Sequence, residues 1–262
     1  MQVYIGGIPI ISSQRLPGKE SLLIFLSGCD FRCPFCYASH ILDFKPEIQE
    51  DIRHIKRQIS DVRDQVSAVV LTGGEPLMQR GALLQLIKHS KELEIYIGIE
   101  TNGSKPDILK EILQEGIDYV SMDLKAPFEE KLLQKTTRAG TFFRPASRLV
   151  SDLKESLAIL KQFQDRIDLE FKTTIVPSLM FRKEDLMQIA AEIREIDAVW
   201  VFQRFRNEFV KDSRFSRLES PALDFLQNLR DSMIKEYPNL RIEIRDEPNP
   251  QIAVPENMTP EE

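Results

Sequence analysis

The stretch Ala68-Val69-Val70-Leu71-Thr72-Gly73-Gly74-Glu75-Pro76 decides the fold. Four consecutive apolar residues stopped by a Gly-Gly turn read as a strand buried on both faces, which is what the interior of a parallel sheet requires. The same signal recurs outward in both directions. Upstream, Ser21-Leu22-Leu23-Ile24-Phe25-Leu26 is a second short apolar run, and downstream strands are predicted at 95–99, 119–122, 169–173, 198–202 and 240–244. Between them the apolar spacing turns helical. Ile48, Ile52, Ile55, Ile59, Val62 and Val66 fall on one face, and helices are expected around 83–87, over 106–114 and 153–163, and around 186–193 and 223–233. The stretch 138–146 has no clear period. Alternating strand and helix implies parallel strands joined by right-handed crossovers. About six such units suit one partial, open (β/α)6 barrel of the TIM type, with outer helices, over residues 1–246. The acidic, Pro-rich segment 247–262 has little to bury and is expected to be a mobile tail.

The composition excludes several classes. The chain has 262 residues, 42% hydrophobic and 29% charged, so it carries enough apolar material for a sizeable core. A net charge of -6 argues against nucleic acid as the main partner, since phosphate binding needs a basic face. No apolar run reaches the roughly 18 to 20 residues of a membrane helix, and the first residues lack a secretory pattern, which makes the cytoplasm the expected location. All three cysteines lie between Cys29 and Cys36, an odd number in one short segment, which does not suit a disulfide framework.

Cys29, Cys33 and Cys36 stand at CxxxCxxC spacing in the loop after the first strong strand. Three soft thiolates so close together can hold a metal or a cluster. Structural zinc wants four ligands, and only His40 is at hand as a fourth. A four-iron cluster held by three cysteines leaves one iron open to a substrate or cofactor. Other polar segments fall in phase with this loop. Thr72-Gly73-Gly74-Glu75-Pro76, Glu100-Thr101-Asn102-Gly103-Ser104, Asp123-Leu124-Lys125, Thr173-Thr174 and Gln203-Arg204-Phe205-Arg206 each end or follow a predicted strand. That is the end of a parallel barrel where active sites are built. Taken singly, each also reads as a turn, a cap or a solvated charge.

CxxxCxxC followed by Tyr37, then TGGEP, a TNG turn and DLK, resembles the radical S-adenosylmethionine (SAM) superfamily, over about residues 22–205. The resemblance implies that Cys29, Cys33 and Cys36 hold a [4Fe-4S] cluster whose fourth iron takes the amino and carboxylate groups of SAM. One electron would then cleave the sulfonium to methionine and a 5′-deoxyadenosyl radical, which abstracts a hydrogen atom from the substrate. On this reading Gly73 and Gly74 let backbone approach the methionine moiety, and Glu75 or nearby carbonyls accept from its ammonium. Lys125 pairs with the SAM carboxylate, Asn102 meets polar groups of the cofactor, and Tyr37 lies near the adenine. Arg204 and Arg206 are equally readable as ligands or as solvated side chains.

The opening GGIPIISSQRLPGKESLLIFLSGCDFRC, with YVSMDLKAP, EFKTTIVP and FQRF, is most similar to the glycyl-radical enzyme activating group, in particular activators of anaerobic ribonucleotide reductase. That likeness implies a glycyl-radical protein as substrate and a reduced electron donor such as flavodoxin or ferredoxin. Some members bind a monovalent cation, and the matching positions are Glu100, Thr101, Ser121 and Asp123, with Glu100 standing where Asp is common. The 7-carboxy-7-deazaguanine synthases share the TGGEP and ETNG look, but Tyr37-Ala38 replaces the Asp-Thr that follows their third cysteine. A non-catalytic iron-sulfur or zinc protein would have no need of the strand-end motifs. There is no P-loop at Pro17 to Ser21 and no GxGxxG. His54 and His89 are expected to face solvent on helices.

Overall fold

The computed structural model describes residues 1–141 and 144–253. Two short strands open the chain, β1 (Gln2–Tyr4) and β2 (Ile10–Ser12), followed by β3 (Ser21–Leu26), β4 (Gln49–Asp51), β5 (Ala68–Gly73), β6 (Tyr96–Thr101), β7 (Tyr119–Asp123), β8 (Asp168–Ile175), β9 (Val199–Arg204) and β10 (Arg241–Arg245). The helices are α1 (Ile52–Asp61), α2 (Arg80–Glu92), α3 (Pro106–Gln114), α4 (Glu130–Thr137), α5 (Ala146–Phe163), α6 (Lys183–Ile193) and α7 (Leu223–Glu236). One sheet runs β2-β3-β5-β6-β7-β8-β9-β10, with β2 antiparallel and every later pair parallel. Six crossovers join the parallel strands, as the alternation predicts. The outer strands β2 and β10 do not pair with each other, so the barrel is open.

Strand alternation divides the sheet into two environments. Leu22, Ile24 and Leu26 of β3 and Val69 and Leu71 of β5 face the main core under the helices. Leu23, Phe25, Ala68 and Val70 face the other way and form a second cluster with Leu16, Ile41 and Ile252. Across β6, β7 and β8 that second face turns polar. Glu100, Ser121 and Glu170 sit side by side in register, and all are buried. Buried carboxylates need partners, and each has them. Arg245 of β10 donates to Glu170 at 2.7 and 3.1 Å, and Ser121 Oγ donates to the same carboxylate at 2.8 Å.

The expected boundaries hold closely, with four differences. The stripe from Ile48 to Val66 is helical only over α1, because Gln49–Asp51 pairs with β1 and Asp51 caps the helix by accepting from the Arg53 amide at 2.9 Å. Helix α4 was not expected, because it buries one large apolar side chain, Leu133, and so shows no stripe; the stretch without a clear period lies just beyond it, partly outside the described residues. His89 does not simply face solvent: its Nε2 lies 2.9 Å from Lys56 O and 3.0 Å from Ser60 Oγ, tying α2 to α1. His54 is exposed, as expected. Finally, residues 247–253, assigned from sequence to the tail, lie against the body. Ile252 is buried on Gly7, and Ala253 O accepts from the Ile8 amide at 2.9 Å. Apolar Ile252 finds a notch that composition does not reveal.

A single carboxylate knots two of the strand-end loops together. Glu75 is fully buried; it accepts from Leu77 N at 3.0 Å and Thr101 Oγ1 at 2.7 Å on one oxygen, and from Asn102 N at 2.6 Å on the other. Burial pushes its carboxyl up, to about 7, while the Asn102 amide pulls it back. Glu75→Gln keeps the shape, yet in either amide orientation its NH2 group opposes a backbone N–H that cannot accept. We expect a loss of about 1–3 kcal/mol, read as a lower midpoint in thermal or urea unfolding; a midpoint equal to wild type would refute the role.

Candidate active site

The loop after β3 leaves the sheet through Gly28, at φ +89°, and is held by its neighbours rather than by a strand or helix of its own. Gly28 N donates to Ile41 O and Cys29 N to Leu42 O, both at 2.9 Å, and Arg32 N donates to Thr137 O at the end of α4 at 2.8 Å. Cys29, Cys33 and Cys36 all line one cavity at the carboxyl ends of the parallel strands. Burial pushes all three thiols up, Cys33 to about 12, while nearby Lys125 pulls Cys33 and Cys36 back down. Holding them as thiolates therefore needs positive charge beside them, from Lys125 and from whatever they bind.

The loop after β5 forms the next wall. Gly74 N donates to Leu26 O at 2.8 Å and Glu75 N to Gly28 O at 2.7 Å, stacking this loop on the cysteine loop. Gly73 takes φ +118°, and a Cβ there would lie 2.5 Å from Leu26 O; a Cβ on Gly74 would strike Gly28 O. Both glycines line the cavity, but their necessity comes first from this backbone stacking. Glu75 is not among the residues that line the cavity, and its oxygens accept from the three donors described above. Its work is to hold Asn102. The Asn102 side chain reaches the cavity, donates to Asp30 Oδ1 at 3.0 Å and accepts from Ser104 N at 2.8 Å.

On the far wall Lys125 donates to Asp123 Oδ2 at 2.9 Å, and both line the cavity. Burial would lower the Lys125 ammonium, but Asp123, with Cys33 and Cys36 in their thiolate form, outweighs that and raises it, so it stays charged. Tyr37 is tied by its hydroxyl, which accepts from Arg15 at 3.0 Å. Arg204 and Arg206 reach the cavity but share Asp246, at 3.0 and 2.7 Å. They are paired side chains, neither freely solvated nor unsatisfied in charge.

Of the four positions matched to a cation, two have their hydroxyls engaged elsewhere. Thr101 Oγ1 donates to Glu75, and Ser121 Oγ donates to Glu170. Glu100 and Asp123 remain, and Lys172 Nζ lies between them, 2.9 Å from Glu100 Oε1 and 3.8 Å from Asp123 Oδ1. Lys172 and Arg15 are site residues that sequence reading missed. For Lys172 a signal exists: β8 alternates Leu169 and Phe171 outward with Glu170 and Lys172 inward, and a lysine in a buried strand demands a partner. Arg15 comes from an irregular loop and carries no such mark.

Comparison with known proteins agrees with this geometry. A protein of Methanocaldococcus jannaschii, named as a proposed glycyl-radical enzyme activating enzyme, is 29% identical over 237 residues, covering 87% of this chain and 91% of its own length. A 7-carboxy-7-deazaguanine synthase of Methanopyrus kandleri is 30% identical over 146 residues, 48% of this chain and 58% of that protein. Among solved structures, Streptococcus suis SuiB bound to S-adenosylmethionine shares the fold with a TM-score of 0.61 at 15% identity, over 83% of this chain and 48% of SuiB. The family model described as the radical SAM superfamily matches residues 23–193, from within β3 to the end of α6. That span is well over half of the sequence and takes in the cysteine loop, the glycine pair and Lys125: the chain belongs to the radical SAM superfamily.

Proposed function

We propose that this radical SAM enzyme activates a glycyl-radical protein by removing a hydrogen atom from one of its backbone glycines. The observation that carries the reading is the alignment along 91% of the Methanocaldococcus protein, against 58% of the deazaguanine synthase. A second observation weighs against the latter class. Ala38 has no side-chain oxygen to offer a metal, and the Tyr37 hydroxyl is committed to Arg15.

Superfamily membership implies a [4Fe-4S] cluster and SAM, and the residues suit both. Three free thiols line the one cavity, one ligand short of the four of a structural zinc site and the number that leaves a four-iron cluster open at one iron. When bound, the two groups supply one-electron cleavage of the sulfonium and a 5′-deoxyadenosyl radical that accepts the substrate's hydrogen atom. Cys29, Cys33 and Cys36 would hold the cluster, three ligands for four irons. Lys125 would offer its ammonium to the SAM carboxylate, the backbone of Gly73 and Gly74 would border the cofactor, and Asn102 would bind polar groups of it. Tyr37, fixed by Arg15, would meet the adenine side. Phe31, Phe35 and Phe205 give the cavity apolar walls that exclude water from a radical. A reduced carrier of the flavodoxin or ferredoxin class delivers the electron.

Three outcomes test this. Cys33→Ala folds but loses the visible absorbance of the reconstituted cluster and all 5′-deoxyadenosine production, measured anaerobically by chromatography; turnover by that variant would remove the cysteines from the site. Lys125→Ala keeps the cluster and weakens SAM binding about 10-fold or more, the worth of one charge-assisted hydrogen bond, in equilibrium titration of the reconstituted protein. Reduced enzyme given SAM and an anaerobic ribonucleotide reductase should produce a glycyl-radical doublet in electron paramagnetic resonance. SAM cleavage without that doublet on any glycyl-radical protein would leave the superfamily chemistry and overturn the proposed substrate.

A further inference from the structure

Glu100 and Asp123 pose an electrostatic problem. They stand at the carboxyl ends of adjacent strands β6 and β7, facing a cavity that, on the reading above, must also admit the carboxylate of SAM. The side chain of Glu100 is only 8% exposed and that of Asp123 21%. Two carboxylates in so dry a place repel each other and any anionic ligand unless a cation lies between them.

We propose that Lys172 is this chain's built-in cation: its ammonium holds the position between Glu100 and Asp123 that a free monovalent ion would otherwise occupy, making the site independent of sodium and potassium. Three observations point the same way. Lys172 lies in register with Asp123 on neighbouring strands, and its side chain is 7% exposed, so it is fixed at the carboxylates by the ladder itself. The oxygens that a free ion would require are engaged elsewhere. Glu100 Oε2 accepts from Thr72 at 2.6 Å, its Oε1 accepts from Lys172 and lies 3.5 Å from Arg15, and the hydroxyls of Thr101 and Ser121 donate to Glu75 and Glu170. And the charge is balanced locally, three cations (Lys172, Arg15 and Lys125) facing three cavity carboxylates (Glu100, Asp123 and Glu247), which leaves no deficit for another cation to fill. Lys172 is thus a positioning residue: it fixes the two carboxylates and keeps the floor of the cavity from repelling an anion.

The test separates this proposal from the reading it rests on, because its first arm needs neither cluster nor SAM. The metal-free chain is melted in potassium chloride and in choline chloride at equal ionic strength. Wild type should melt at the same temperature in both. Lys172→Ala should melt about 10 °C lower in choline, the cost of stripping one partner from a buried ion pair, and recover about half of that loss in potassium or ammonium chloride as the ion enters the vacated space. Lys172→Met fills that space and should show no ion-specific recovery, which a purely structural role for the lysine would not distinguish. Potassium-dependent stability of wild type, or a Lys172→Ala deficit that no small cation repairs, would overturn the proposal. Should both variants fail to fold, wild type alone decides: SAM cleavage by the reconstituted enzyme should agree within about twofold between the two salts, and a tenfold loss in choline would refute a built-in cation. Absence of cleavage in both salts would count against the radical SAM reading, while the melting arm would still judge Lys172.

Discussion

The cysteine loop has no ladder or helix of its own, and the loops beside it are placed by the need to satisfy its backbone. A segment that must present three thiols within eight residues cannot be regular, yet its amides and carbonyls cannot be left unpaired in a buried place. The chain solves this by borrowing partners. Carbonyls of Ile41, Leu42 and Thr137 take its amides, while its own Leu26 and Gly28 carbonyls take the amides of Gly74 and Glu75. The loop after β5 is therefore the structural support of the cysteine loop. The third loop is tied to the second through the carboxylate of Glu75. Loops after β3, β5 and β6 form one unit whose members depend on each other in sequence, which is why the cavity wall is continuous although it is built from three separate crossovers.

How much of this is legible in the sequence depends on whether a feature leaves a local trace. The parallel strands do, because burial on both faces forbids polar interruptions: Val69 to Leu71 or Leu22 to Leu26 can hardly be anything else. The cysteines and the Gly-Gly pair are legible because few other side chains could stand there. What is hidden is hidden for physical reasons. Helix α4 and the β1–β4 pair bury too few apolar side chains to produce a period. Glu75 looks like a ligand because a glutamate beside two glycines at a strand end usually faces outward; only the folded loops show that three donors converge on it. Lys172 and Arg15 are visible as charges, but their partners are 72 and 85 residues away in the chain.

The concave face of the sheet is an unusual interior. A closed barrel of this type fills its centre with branched apolar side chains, and the β3–β5 half does so here. The β6–β8 half instead carries two glutamates in register, separated by Ser121, each neutralised by a cation from a later strand: Lys172 of β8 for Glu100 and Arg245 of β10 for Glu170. Such pairs add little net stability over an apolar core. Their effect is to specify: a one-residue slip of β8 would expel Lys172 and Glu170 from their partners together and bring Leu169 and Phe171 into a polar slot.

The unpaired edges of the sheet bear on how large a partner such a site can serve. Had β2 and β10 hydrogen-bonded, widening the mouth would mean unzipping a ladder. Here that flank is covered by residues 247–253, which among the described residues hold the body through the side chain of Ile252, the backbone bond from Ile8 to Ala253, and the Asn249 amide, which donates to the carbonyls of Arg206 and Glu208 at 3.4 Å. Breathing at this seam costs side-chain contacts and a few hydrogen bonds, not a strand pair. A cavity with a hem of this kind can widen without disturbing the strands that position the chemistry.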